Sequence, residues 1–210
     1  MIHYDRRLRS LAVLLAMLAG FVDAIGFLKL GGMFVSFMSG NSTRLAVGIA
    51  TGSGAALLAA TLIAAFVAGV VAGSLLSAAV PHSRKTVVLI GVAILLATAA
   101  LLSRWHLERG AMPVMAFAMG CANTVFQRDG EVSVGVTYMT GALVKVGQRI
   151  GAAFLGGDPL GWLPYLLLWF GLVTGGILGA VSYSFIGMDC LWGASAAAFI
   201  LASLAPRGSV

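Results

Sequence analysis

Residues 55–80, 86–103, 159–188 and 190–205 carry no charged residue at all. About 20 apolar residues cross a bilayer core roughly 30 Å thick. The first three stretches are long enough to be spans, and the last is marginal. Adding the remaining apolar runs, the pattern predicts four elements in each half of the chain. They are 10–28, 39–52, 55–80 and 86–103, then 112–127, 140–155, 160–187 and 190–205.

The halves resemble each other in detail. Residues 35–44 read VSFMSGNSTR and residues 136–145 read VTYMTGALVK. Ser36 meets Thr137, Phe37 meets Tyr138, Met38 meets Met139, Ser39 meets Thr140, Gly40 meets Gly141 and Arg44 meets Lys145. The first elements correspond through Gly20-Phe21-Val22-Asp23-Ala24 and Gly120-Cys121-Ala122-Asn123-Thr124, so an acid in one half is an amide in the other. The third elements correspond through Gly69 and Gly73 against Gly175 and Gly179, a spacing that lets helix backbones approach closely in lipid. We expect a single integral membrane domain over 1–210, built from a first repeat at 8–105 and a second at 110–206.

Composition agrees. The 210 residues are 60% hydrophobic and 10% charged, where a soluble domain carries about 25% charged residues. Arg6, Arg7 and Arg9 precede the first apolar run as they would in a signal peptide. That run holds Asp23 and no convincing cleavage site, so it reads as an uncleaved first span. The net charge of +6 comes from basic residues at segment ends, which anionic headgroups and the positive-inside bias explain without nucleic acid. Cys121 and Cys190 sit in apolar context and read as packing residues. His3, His82 and His106 fall in terminal or loop segments without metal-ligand spacing. No phosphate-binding glycine loop appears, and the sequence implies no cofactor and no metal. The partners expected are the lipid bilayer, a small-molecule or ion substrate, and further copies associating through the glycine-rich helices.

The second element of each half is the odd one. From Ser39 to Thr51 it covers only about 20 Å at 1.5 Å per residue, and it opens with Asn41, Ser42, Thr43 and Arg44. Its mate carries Lys145, Gln148 and Arg149. Ser39 and Thr140 are good N-cap residues, so each segment reads as a helix starting at its Ser/Thr-Gly. Short, polar, glycine-opened segments at matching places in two halves point to a transporter-type site. If they are re-entrant and the halves inverted, Arg6, Arg7, Arg9, Arg84, Lys85, Arg128 and Arg207 lie inside, against Lys29, Arg104 and Arg109 outside. If all eight elements span, six Lys/Arg lie inside and four outside. The positive-inside rule favours the first arrangement: an all-α fold of about six spans plus two re-entrant helices, with a cytoplasmic N-terminus.

Asp23 sits near mid-membrane, where a charge costs about 2.5–3.5 kcal/mol on insertion scales. Two readings stand open. Asp23 pairs with Arg44 or Lys145, or caps a neighbouring helix; or it serves a cation, a proton or a substrate. Arg44 and Lys145, one to two turns into the short helices, would either join the helix N-termini in binding a small anion or carboxylate or snorkel to headgroups. The candidate substrate-binding set is Asp23, Ser39, Gly40, Asn41, Arg44, Asn123, Thr140, Gly141 and Lys145. No catalytic residue is assigned, because no Ser/His/Asp set sits at one depth.

At Gly20–Ala24, Met38-Ser39-Gly40-Asn41, Gly120–Asn123 and Met139-Thr140-Gly141 the chain resembles the YoaK family of bacterial membrane proteins. The likeness covers roughly residues 8–205. Members usually show Thr-Gly-Asn where this chain has Ser39-Gly40-Asn41, and Ala142 lacks the polar group that Asn41 supplies. The resemblance implies an inner-membrane protein and supplies no substrate. The leading expectation is a non-enzymatic secondary transporter with its site between the halves. The alternative is a structural or accessory membrane protein.

Overall fold

The computed structural model describes residues 6–128, 131–132, 135 and 137–206; His3, Val136 and Arg207 lie outside the described residues. Among the described residues the chain forms α1 (Arg6–Lys29), α2 (Met38–Thr51), α3 (Ala55–Ala79), α4 (Arg84–Arg104), α5 (Glu108–Ala122), α6 (Met139–Phe154), α7 (Leu163–Ile186) and α8 (Cys190–Leu204). A 3-10 turn, Gly187–Asp189, joins the last two helices, and a two-residue hairpin pairs β1 (Gln127–Arg128) with β2 (Glu131–Val132). Helices α1, α3 and α4 and the stretch Leu163–Leu204 are long and apolar enough to cross a membrane.

Each expected apolar element is helical, with shifted boundaries. α1 takes in Arg6, Arg7 and Arg9 ahead of the expected start at residue 10, because a helix entering a membrane does not stop where the charges begin. α5 runs Glu108–Ala122 rather than 112–127, since the chain turns at Asn123 while Val125 and Phe126 stay buried. α2 and α6 begin at Met38 and Met139, with Phe37 and Tyr138 at the N-cap and no side-chain cap bond. Ser39 and Thr140 are therefore first-turn residues, a correction to the expected caps.

The first helix of each half packs on the third helix of the other, α1 on α7 and α5 on α3. Glycines make both contacts. A Cβ on Gly175 would overlap the Met17 carbonyl, and one on Gly179 the Phe21 carbonyl; Gly69 meets Phe117 in the same way. In the reverse sense, Gly20 abuts the carbonyl of Leu172 and Gly120 that of Phe66. The two Gly-xxx-Gly faces are thus occupied inside the chain. Cys121, adjoining one of these crossings, donates from Sγ to the Gly69 carbonyl at 3.1 Å.

The contacts also fix directions. Val13, Met17 and Phe21 meet Gly171, Gly175 and Gly179 in order, so α1 and α7 run parallel. Phe117 and Cys121 meet Gly69 and Gly73 in order, so α3 and α5 do too. α4 and α8 are antiparallel, joined by Arg104–Asp189 at 3.5 Å and by Ser195 Oγ donating to the Ala93 carbonyl at 2.7 Å. Lys29 at the end of α1 pairs with Glu108 at the start of α5 at 2.6 Å, and Gly54 of the α2–α3 turn lines a pocket beside them. The start of α7 instead lies beside Arg9 and Ser10 of α1. α2 and α6 pack mainly on α3 and α7 respectively and are otherwise largely exposed.

Stability follows the crossings. Gly175→Ala pushes a methyl into the Met17 backbone and is expected to cost about 1–3 kcal/mol or more, the usual scale of overpacking. Gly91→Ala meets open space and should be neutral or stabilise by up to about 1 kcal/mol through helix propensity. Thermal unfolding of the detergent-solubilised variants measures both.

Candidate functional site

Past Lys29 the chain doubles back along α1. Gly31 and Gly32 make the turn at φ of +62° and +104°, a region that glycine enters without steric penalty. The Gly32 N–H donates to the Phe27 carbonyl at 2.8 Å, and Val35 packs its side chain against Gly26. This returning segment is not helical, so its peptide groups need other partners. Asp23 supplies two of them: the N–H groups of Val35 and Ser36 both donate to its Oδ1 at 2.8 Å. Asn41, fully buried, reaches back from the first turn of α2. Its Oδ1 accepts the Phe34 N–H at 3.0 Å and its Nδ2 donates to the Phe34 carbonyl at 2.6 Å. With the link pinned from both sides, α2 begins at Met38 without a hydroxyl cap.

The second half ties its link through a side chain instead. Buried Asn123 accepts the Thr137 hydroxyl at 3.2 Å and donates to the Met119 carbonyl at 2.9 Å. Thr137 is the counterpart of Ser36, so in both halves the polar residue near the end of the first helix holds the same position of the link. Ala142 stands at the position of Asn41 and has no polar side chain to offer.

α2 and α6 start on one shared cavity of about 270 Å³. Matching residues line it: Ser36 with Thr137, Phe37 with Tyr138, Met38 with Met139, and Ser39 with Thr140. Gly141 joins them, as does Phe66 from α3. Of the sequence-predicted set, Ser39, Thr140 and Gly141 therefore stand on the wall. Asp23, Asn41 and Asn123 lie behind it, holding the links that carry it. Gly40 packs against the Phe34 and Phe37 rings. Arg44 sits with its guanidinium against Gly32, and Lys145 is exposed with Nζ 5.4 Å from the centre of the Tyr165 ring. Neither basic side chain lines the cavity, and Asp23 accepts from the link amides rather than pairing with Arg44 or Lys145. Of the two readings of Asp23, the geometry favours the local capping role.

Sequence reasoning missed Phe66, whose mate Leu172 is not aromatic, so no repeat signal marks it. Ser36 and Thr137 were legible as a matched hydroxyl pair but not as wall residues.

The Asp23 geometry has a consequence for mutants. Asp23→Asn keeps an oxygen that can accept both amides and should leave stability nearly unchanged. Asp23→Ala strands two N–H groups, each costing about 1–3 kcal/mol when buried and unpaired. Neutralising Arg44 or Lys145 should not rescue it. Melting temperatures of the single and double variants decide.

The family model for a protein of unknown function, DUF1275, matches residues 11–204. UPF0700 transmembrane protein RA0705 of Rhizobium meliloti (strain 1021) is 39% identical over 196 residues, covering 93% of this chain and 85% of that one. No solved structure matches. The match bears out the resemblance drawn from the glycine-containing motifs of both halves. With its long apolar helices, the chain is a multi-pass membrane protein, and it belongs to the DUF1275 family of unknown function.

Proposed function

We propose that the chain is a small secondary transporter or channel-like carrier whose substrate sits in the cavity between the starts of α2 and α6. The carrying observation is the wall itself, four matched pairs of residues drawn from the ends of two corresponding links and the first turns of the helices they lead into. Non-helical backbone at membrane depth is tolerated only against protein or a watery cavity, and here both links border the same space. The site residues are Ser39, Thr140 and Gly141 on the wall, with Asp23, Asn41 and Asn123 as positioning residues. Two helix N-termini at one cavity favour a small anion or carboxylate.

The halves act as inverted repeats of three spans and one re-entrant helix, 8–105 and 110–206. Three contacts support this. Lys29 meets Glu108, placing the end of α1 and the start of α5 together. Gly54 shares their pocket, so α2 returns to the end from which its link entered. Leu163 and Pro164 flank Arg9, so α6 returns to the opposite end. Arg6, Arg7, Arg9, Arg84 and Lys85 then share one end and Lys29, Arg104 and Arg109 the other, which makes the first end cytoplasmic. A cytoplasmic N-terminus in the bacterial inner membrane follows.

The alternative of an accessory membrane protein draws on one observation: Asp23, Asn41 and Asn123 are each satisfied locally.

Two measurements test these readings. Thiols at Ser53→Cys and Asp158→Cys should react with a membrane-impermeant reagent from opposite faces, Ser53 from outside; labelling from one face would restore the eight-span arrangement. In a thermal-shift screen against small carboxylates and inorganic anions, a ligand should stabilise the protein by mass action. Ser39→Ala with Thr140→Val should weaken that stabilisation. A screen without any shift favours the accessory reading.

A further inference from the structure

Apart from the shared cavity, the bundle carries two pockets that are counterparts of each other at its opposite ends. One, of about 410 Å³, lies between the start of α1 and the start of α7; the other, of about 610 Å³, lies between the start of α5 and the start of α3. Their walls correspond position by position under the duplication. Arg9 answers Arg109, Val13 answers Pro113, and Leu163, Pro164 and Leu167 answer Leu57, Leu58 and Thr61. Each pocket is thus formed by the first helix of one half and the third helix of the other, with one arginine on the first helix.

An arginine is matched as well. In the larger pocket Lys29 and Glu108 neutralise each other at 2.6 Å, which leaves the Arg109 charge as the net charge of its ionisable lining residues. In the smaller one Arg9 lines the wall at the corresponding place. Below each arginine the walls are aliphatic. Trp105 precedes α5 and Trp162 precedes α7, close in sequence to the two pockets, and tryptophan concentrates at the two membrane–water interfaces.

We propose that these are two phospholipid seats, one in each leaflet. Each arginine holds a lipid phosphate, and an acyl chain lies on the aliphatic wall beneath. A guanidinium binds a phosphate through paired donors, and basic pockets between membrane helices suit lipid headgroups. A free phosphate would leave the apolar floor of each pocket unused, whereas a phospholipid covers both parts. A seated lipid would bridge the two halves at each face, beside the glycine crossings that join them.

The experiment is native mass spectrometry of the full chain, delipidated in detergent and titrated with phosphatidylglycerol. The wild type should retain two lipids per chain. Arg9→Gln and Arg109→Gln should each weaken one of the two binding steps about tenfold or more, the scale of a lost charge-assisted bond, and the double variant should weaken both. Because an arginine change near the N-terminus can disturb insertion, Leu167→Phe and Thr61→Phe provide a second route by filling each pocket from its wall, again removing one lipid apiece. Two lipids retained unchanged in the arginine and filling variants would overturn the proposal. So would inorganic phosphate displacing the lipid at equal concentration, since that would reduce the sites to simple anion binding.

Discussion

A peptide group that leaves a helix inside a bilayer has no water to bond, and each one left unpaired costs several kcal/mol. In the proposed re-entrant arrangement the segment between α1 and α2 lives under that constraint, and the chain answers it with two side chains. Asp23 takes the Val35 and Ser36 amides on one oxygen, and Asn41 takes both polar groups of Phe34. These bonds determine where α2 begins. The start of α2 in turn sets the position of the Ser36, Phe37, Met38 and Ser39 wall. Thr137 and Asn123 do the corresponding work for α6 with a single hydroxyl-to-amide bond. The cavity is thus the meeting place of one link held by its backbone and another held by a side-chain hydroxyl.

The second organising contact is the exchange of helices between halves. α1 beds on α7 and α5 on α3 through glycines whose missing side chains admit a neighbouring carbonyl. Lipid provides little hydrophobic force to press helices together, so close backbone approach and van der Waals contact carry the association. Neither half can complete this packing alone, because its first helix needs the third helix of the other. The seam between halves is therefore interlocked at both crossings. The space between the two link segments is where that interlock leaves room.

For function, the relevant shift is from charge to shape. The wall offers hydroxyls, aromatic faces and thioethers, while the acid and the two basic residues singled out by sequence stand off it. Selection among substrates would then rest on size, on hydrogen bonding to Ser36, Ser39, Thr137 and Thr140, and on the weak positive field of two helix starts. Asp23 becomes a residue that shapes the site from behind. That role also accounts for the amide at its counterpart: accepting hydrogen bonds needs an oxygen, which Asn123 has, and does not need a charge.

The sequence by itself determined the membrane setting and the eight helical elements, the two short helices α2 and α6 among them. Those features follow from local composition and from residue-by-residue repetition, which are written in one dimension. It also marked Asp23, Asn41 and Asn123 as polar groups needing partners, because burial in lipid penalises any unpaired polar group whatever the fold. Which partners they take was decided by the tertiary structure. The link doubles back at Gly31-Gly32 and brings Val35 within reach of Asp23, a contact spanning 12 residues that no helical periodicity encodes. Helix starts, the turn at Asn123 and the place of Phe66 on the wall depend likewise on where other helices end up. Lys145 and Arg44 looked like site residues because sequence sets them a turn or two from the helix starts. A helix also rotates its side chains about its axis, and only packing against α7 fixed Lys145 over Tyr165, on a face that does not line the cavity.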